Sequence, residues 1–173
     1  MAGGNKNHPS VVSWDVLPEE LKESNRRVAR RIGKNLRLLG YDYDSINTPF
    51  PSVEQFDEDT ILKLAQKQHE DWMEEKIRSG WTYAPLSKGI KAAQARHTPV
   101  AWAKLTVQDQ EDLAVVELRK DRHSHLLVGW DDLPEKELKK DIAIAENIIP
   151  LLKSIELKVY KNYATRPTTQ TRP

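Results

Sequence analysis

Apolar positions recur with a helical period after Asp57, where Ile61, Leu64, Ala65, Trp72 and Met73, joined by Gln68, fall on one stripe. Asp57 is suited to accept from the first free amides as an N-cap, and Phe56 and Ile61 stand at the positions of a hydrophobic staple. Gly80 ends the run where a left-handed cap belongs. The pattern predicts a helix over 58–79. Two further amphipathic stretches predict helices over 26–39 and 142–154, the second more apolar and so expected to be the more buried. Val11-Val12 and Leu126-Leu127-Val128 are read as short strands. Asn47-Thr48-Pro49 and Pro51 deny a helix its hydrogen bonds and mark a linker. Residues 1–7 and 162–173 have little apolar surface to bury and are expected to be disordered tails.

The chain also echoes itself. His8-Pro9-Ser10-Val11-Val12-Ser13-Trp14-Asp15-Val16-Leu17-Pro18-Glu19 returns as Ser124-His125-Leu126-Leu127-Val128-Gly129-Trp130-Asp131-Asp132-Leu133-Pro134-Glu135. The spacing holds through the following helix, carrying Asn25 onto Asp141, Ala29 onto Ala145, Ile32 onto Ile148 and Leu36 onto Leu152. An extended apolar stretch, a Trp, a Leu-Pro turn and an amphipathic helix therefore form a repeated unit. A shorter third echo runs from His97 to Leu105.

Composition narrows the functional classes. With 173 residues the chain suffices for one core or two small halves that share one. Lys and Arg total 27 against 26 Asp and Glu, so any attraction to nucleic acid or anionic lipid has to be local. The absence of Cys excludes disulfides and thiolate chemistry and fits a reducing, cytoplasmic setting. No apolar run reaches the roughly 18 residues of a membrane span, and no export signal is read at the start.

One pattern is more specific: His69-Glu70-Asp71-Trp72, then Lys76, then Ser79-Gly80-Trp81-Thr82-Tyr83-Ala84-Pro85. With the flanking Trp-x-x-Leu-Pro units, it resembles the ryanodine-receptor repeat, the RyR domain of calcium-release channels and of small bacterial and phage proteins. The likeness covers about 8–43 and 57–157. Ala84 stands where the family usually has Gly, Ser124-His125 replaces His-Pro, Ile142 replaces the Arg after Asp141, and 86–123 is longer than the usual loop. The expected fold is mainly α with short β-strands (α+β), built as two pseudo-symmetric RyR-repeat halves packed together. Its parts would be a first strand-turn-helix unit at 8–43, a linker at 44–56, and the central helix with the second unit at 57–161, including an insertion at 86–123. The resemblance implies a small ligand-sensing or regulatory module of bacterial or phage type, related to adenine-nucleotide sites and to phage defence, without a channel.

The residues give independent support. From Lys76 to Gln108 there is no Asp or Glu, while Lys76, Arg78, Lys88, Lys91, Arg96 and Lys104 are interleaved with Trp81, Tyr83 and Trp102. A nucleotide needs a flat π surface, worth about 1–3 kcal/mol per stacked base, and fixed cationic donors for its phosphates. Trp81 is the expected stacking residue, Tyr83 offers a hydroxyl, and Arg78 and Lys88 are the phosphate candidates. A Trp after a helix-ending Gly also serves as a packing residue, and Trp14, Trp72 and Trp130 read as architecture. His69 lies on the apolar stripe, so it is either a hydrogen-bonded structural histidine or a ligand contact. Asn25 and Asp141 fall where the following helices are predicted to open, as caps or as partners of a ligand hydroxyl.

Arg26 opens a basic amphipathic helix with Arg27, Arg30, Arg31, Lys34 and Arg37, which offers phosphate contacts or a solvated face balanced by acids between Glu54 and Glu75. Catalytic signatures are absent: there is no Gly-rich phosphate loop, no Gly-x-Ser-x-Gly elbow and no His-Glu-x-x-His. No enzyme activity, cofactor or metal is expected, and His123 with His125 makes at most an adventitious metal contact. The expected partner is a small anionic, nucleotide-like ligand. The alternatives are a protein or nucleic-acid interaction module using 26–37, a homo-oligomer, or a small hydrolase of nucleotide derivatives that relies on His69.

Overall fold

A computed structural model describes residues 14–162. The Val11-Val12 strand, the tail at 1–7 and all but the first residue of the tail at 162–173 lie outside the described residues. In chain order the elements are α1 (Glu19–Leu38), β1 (Tyr41–Ser45), α2 (Glu58–Arg78), β2 (Thr82–Tyr83), α3 (Leu86–Gln94), α4 (Pro99–Ala103), α5 (Val107–Lys120), β3 (His123–Ser124), α6 (Glu135–Glu146), α7 (Ile148–Lys153) and β4 (Leu157–Lys161). Single 3-10 turns occupy Trp14–Val16 and Trp130–Asp132. The architecture is mainly α with short strands in two-stranded sheets, the α+β class expected from the sequence. It divides into two compact units: the described residues up to Leu64 with those from Ile144, and Ala65–Ala143.

In the first unit α1 starts directly after Pro18, whose extended ψ of 141° and missing N–H suit the position just before a helix. The predicted start at Arg26 is therefore too late, because the Leu-Pro turn launches the helix itself. The same correction applies to α6, which opens at Glu135 after Pro134 and not at Ile142. The helix predicted over 142–154 is also divided, with α6 ending at Glu146 and α7 beginning at Ile148. Pro150 has no N–H to give to the carbonyl of Glu146, so an unbroken α-helix would lose a bond there.

β1 and β4 form an antiparallel ladder from Tyr41 opposite Lys161 to Ser45 opposite Leu157. Neither strand stood out in the hydrophobic pattern. Leu36, Ile148, Ile149, Leu152 and Val159 are buried in this unit. The stretch 44–56 contains the end of β1 and then follows β4: the Val53 N–H donates to the Val159 carbonyl at 2.7 Å, and Phe50 stacks on Tyr160 with ring centres 4.5 Å apart. The ladder's central pair, Tyr43 opposite Val159, has the spacing of the sequence echo. Trp14, Leu17 and Glu19 likewise recur as Trp130, Leu133 and Glu135, giving in each case a 3-10 turn, a buried leucine and a helix start.

The second unit begins with the later part of α2. That helix matches its prediction at both ends: the Thr60 N–H donates to Asp57 Oδ1 at 2.7 Å, and Gly80 adopts φ +79°. The long segment 86–123 folds mostly into α3, α4 and α5. Thr98 caps α4, and Thr106 with Asp109 makes a reciprocal capping box at the start of α5. Gly89 permits a close approach of α3 to α5, since a Cβ there would lie 2.4 Å from the Ala114 carbonyl oxygen. The returning chain forms β3, parallel to β2, with Thr82 opposite His123 and Tyr83 opposite Ser124. The strand expected at Leu126-Leu127-Val128 is absent, and pairing falls just before it at His123–Ser124.

Candidate functional site

The end of α2 fixes the position of Trp81. The Gly80 N–H donates to the Ile77 carbonyl at 2.9 Å and the Trp81 N–H to the Lys76 carbonyl at 3.0 Å, the paired bonds of a Schellman turn. This turn brings the residue after the glycine back over the last helical turn. The Lys76 ammonium accordingly lies 4.3 Å from the centre of the Trp81 ring and 6.0 Å from that of Trp72. At these distances the cation is attracted to the negative face of each indole, more strongly at Trp81. Trp81 is half-buried, so part of its surface remains open to solvent.

The cations predicted to surround Trp81 have different partners. Arg78 is exposed and its Nη2 donates to Glu74 Oε2 at 2.7 Å, so the helix surface holds it. Arg122, which sequence reasoning passed over, has a left-handed φ of 54° and donates from Nη1 to the Ser79 carbonyl at 3.3 Å. A guanidinium there meets the negative end of α2. Lys88 lies in the first turn of α3 and bonds His123, while Tyr83 is exposed on β2. No two-residue strand carries a periodic signal, so the pairing that brings His123 to Thr82 was not legible beforehand.

His69 is a buried, hydrogen-bonded residue with 4% of its surface exposed. Its Nε2–H donates to the Val128 carbonyl at 2.9 Å, since a carbonyl oxygen can only accept. The ring stacks on Trp72 at 5.7 Å and lies 6.4 Å from Trp130. Nδ1 is 3.7 Å from Asp141 Oδ2. Burial pushes the Asp141 carboxyl above the ordinary aspartate range; His69 opposes the shift, Glu137 adds to it and Lys140 opposes it. Asp141 stands inside α6 and is not its cap, correcting the expectation drawn from a helix start at Ile142.

Asn25 and Arg26 belong to the first unit. Asn25 is exposed within α1 and does not cap it, because the helix opens at Glu19. Arg26 pairs with Glu19 and Glu23, Arg30 with Glu23, and Arg37 with Asp42. These partners lie on α1 and β1, outside the 54–75 stretch expected to balance the basic face. His125 is half-buried, and burial lowers its imidazole from the ordinary value. Among the described residues no group of three or more His, Cys, Asp and Glu is placed to hold a metal ion, and no helix is long and apolar enough to cross a membrane.

The second unit thus brings together Trp81, Lys76 and Trp72 at one helix end, and Thr82, His123 and Lys88 along the small sheet. No protein-family model and no curated protein matches the chain.

Proposed function

We propose that the Ala65–Ala143 unit is a non-catalytic sensor module for a small anionic ligand of the adenine-nucleotide type, with Trp81 as the wall against which the base stacks. The observation that carries this reading is the half-buried indole with an ammonium 4.3 Å from its centre. Stacking on such a ring contributes about 1–3 kcal/mol per base and tolerates different bases. Lys76 supplies positive charge beside the ring, and Tyr83 adds an exposed hydroxyl on the adjoining strand. Arg78 contributes only if the ligand draws it from Glu74. His69, with Asp141 beside its other ring nitrogen, serves to anchor the Val128 carbonyl and not to contact the base. The resemblance to the ryanodine-receptor repeat supports the same reading, with two RyR-type halves and a cytoplasmic setting.

The alternative of an interaction module on the basic helix has less support, because Arg26, Arg30 and Arg37 are already paired with carboxylates. A thermal-shift panel of ATP, ADP, AMP, adenosine and GTP tests the proposal. A ligand at 100 times its dissociation constant stabilises by about 2.7 kcal/mol. Trp81→Ala is expected to remove the shift and Trp81→Phe to keep part of it. A flat panel on folded wild-type protein rejects the proposal.

A further inference from the structure

His123 is the meeting point of polar side chains from three elements. Its Nδ1 lies 2.8 Å from Thr82 Oγ1 and its Nε2 lies 2.9 Å from Lys88 Nζ. A charged lysine only donates, so Nε2 is the acceptor and the ring proton sits on Nδ1, directed at the Thr82 oxygen. The Thr82 hydroxyl, accepting at its oxygen, keeps its own proton for another acceptor. The register of β2 and β3 sets Thr82 opposite His123, and Lys88 reaches the His123 ring from the first turn of α3.

The partner of Lys88 is a titratable base, unlike the carbonyl and amide oxygens that Arg122 and Lys136 meet. Lys67, Arg78, Arg96, Lys120, Lys139 and Lys140 each stand against a carboxylate, whereas Lys88 stands against an imidazole. An imidazole balances none of the lysine's charge, and protonating it would place two cations in contact. An oxoanion inserted between them reverses that repulsion and receives N–H from Lys88 and N–H from the protonated ring, while Thr82, on the Nδ1 edge, holds the imidazole in place. Each such bond is charge-assisted or directed at a full negative charge.

We propose that Lys88 and His123, with Thr82 orienting the imidazole, form a binding site for a phosphate-type oxoanion, free or as the terminal group of a larger molecule. The inference goes beyond the stacking role of Trp81 and does not require it. Alternation along β2 sends Tyr83 to the side opposite Thr82, so the oxoanion group has its own surface.

Titration of the full chain with inorganic phosphate and with pyrophosphate, in a buffer free of other oxoanions, tests the site by NMR of the His123 ring and the Thr82 amide. The expected result is a saturable shift at these signals, weakened about tenfold or more by Lys88→Met and by His123→Gln, and retained in Trp81→Ala. AMP moving the His123 signals while adenosine leaves them still identifies the anion as the end of a nucleotide. Inorganic phosphate or pyrophosphate binding without any response to adenosine or AMP upholds this site while removing support for the stacking proposal. Shifts that never saturate, spread over many surface lysines, and persist in Lys88→Met overturn it.

Discussion

The ammonium of Lys76 lies 4.3 Å from the centre of the Trp81 ring, and one turn of backbone geometry accounts for both positions. Lys76 gives its carbonyl to the Trp81 N–H, so the two side chains meet over the same Schellman turn. The candidate site is therefore coupled to how α2 ends, and the glycine between them sets that ending.

Gly80 holds φ +79°, a conformation in which a Cβ crowds the following carbonyl. The space itself is open, since the nearest atom to an added Cβ is Arg122 Nη1 at 3.6 Å. Gly80→Ala is thus expected to cost about 1–2 kcal/mol through the backbone alone, read as a lower urea midpoint at unchanged slope. Trp81 fluorescence should change with it.

Gly89 and Gly129 make a contrasting pair. A Cβ at Gly89 meets backbone, the Ala114 oxygen at 2.4 Å, while at Gly129 the nearest atom is Asp132 Oδ2 at 3.9 Å. Separating α3 from α5 carries an overpacking cost of about 1–3 kcal/mol, so Gly89→Ala is expected to lower the unfolding midpoint clearly. Gly129, at φ −60°, should accept Ala within about 0.5 kcal/mol. Equal losses in the two variants would contradict the packing assigned to 86–123.

Asp141 gives the protein a pH dependence of known sign. Its folded carboxyl holds the proton more tightly than the unfolded one because it is buried, so between the ordinary aspartate value and the raised one the native state binds more protons. This group's contribution then falls as pH rises through that window and is constant above it. Urea unfolding of wild type and Asp141→Asn between pH 3.5 and 7 is expected to give a stability difference that moves against wild type with rising pH. A difference independent of pH would show that Asp141 titrates alike in both states.

The ends of α2 were legible because each has a local chemical cause, the Asp57 carboxylate at one and the left-handed Gly80 at the other. Leu17 and Leu133 are both buried ahead of a proline and a helix start. The starts of α1 and α6 were misplaced because the apolar period was weighed above the prolines at Pro18 and Pro134. β1 and β4 were missed because Tyr41-Asp42-Tyr43-Asp44-Ser45 and Leu157-Lys158-Val159-Tyr160-Lys161 acquire their meaning only when paired across the length of the chain. The same holds for His123, whose contacts with Thr82 and Lys88 depend on a ladder of two residues.

The most direct measurement follows the indole Nε1–H signals of the full chain while ATP is added, with the buried Trp102 as internal reference. The Trp81 signal is expected to move saturably while that of Trp102 stays still. A Trp81 signal that does not move up to millimolar ATP, in a protein whose other signals show it folded, would contradict the claim that this ring receives a nucleotide base.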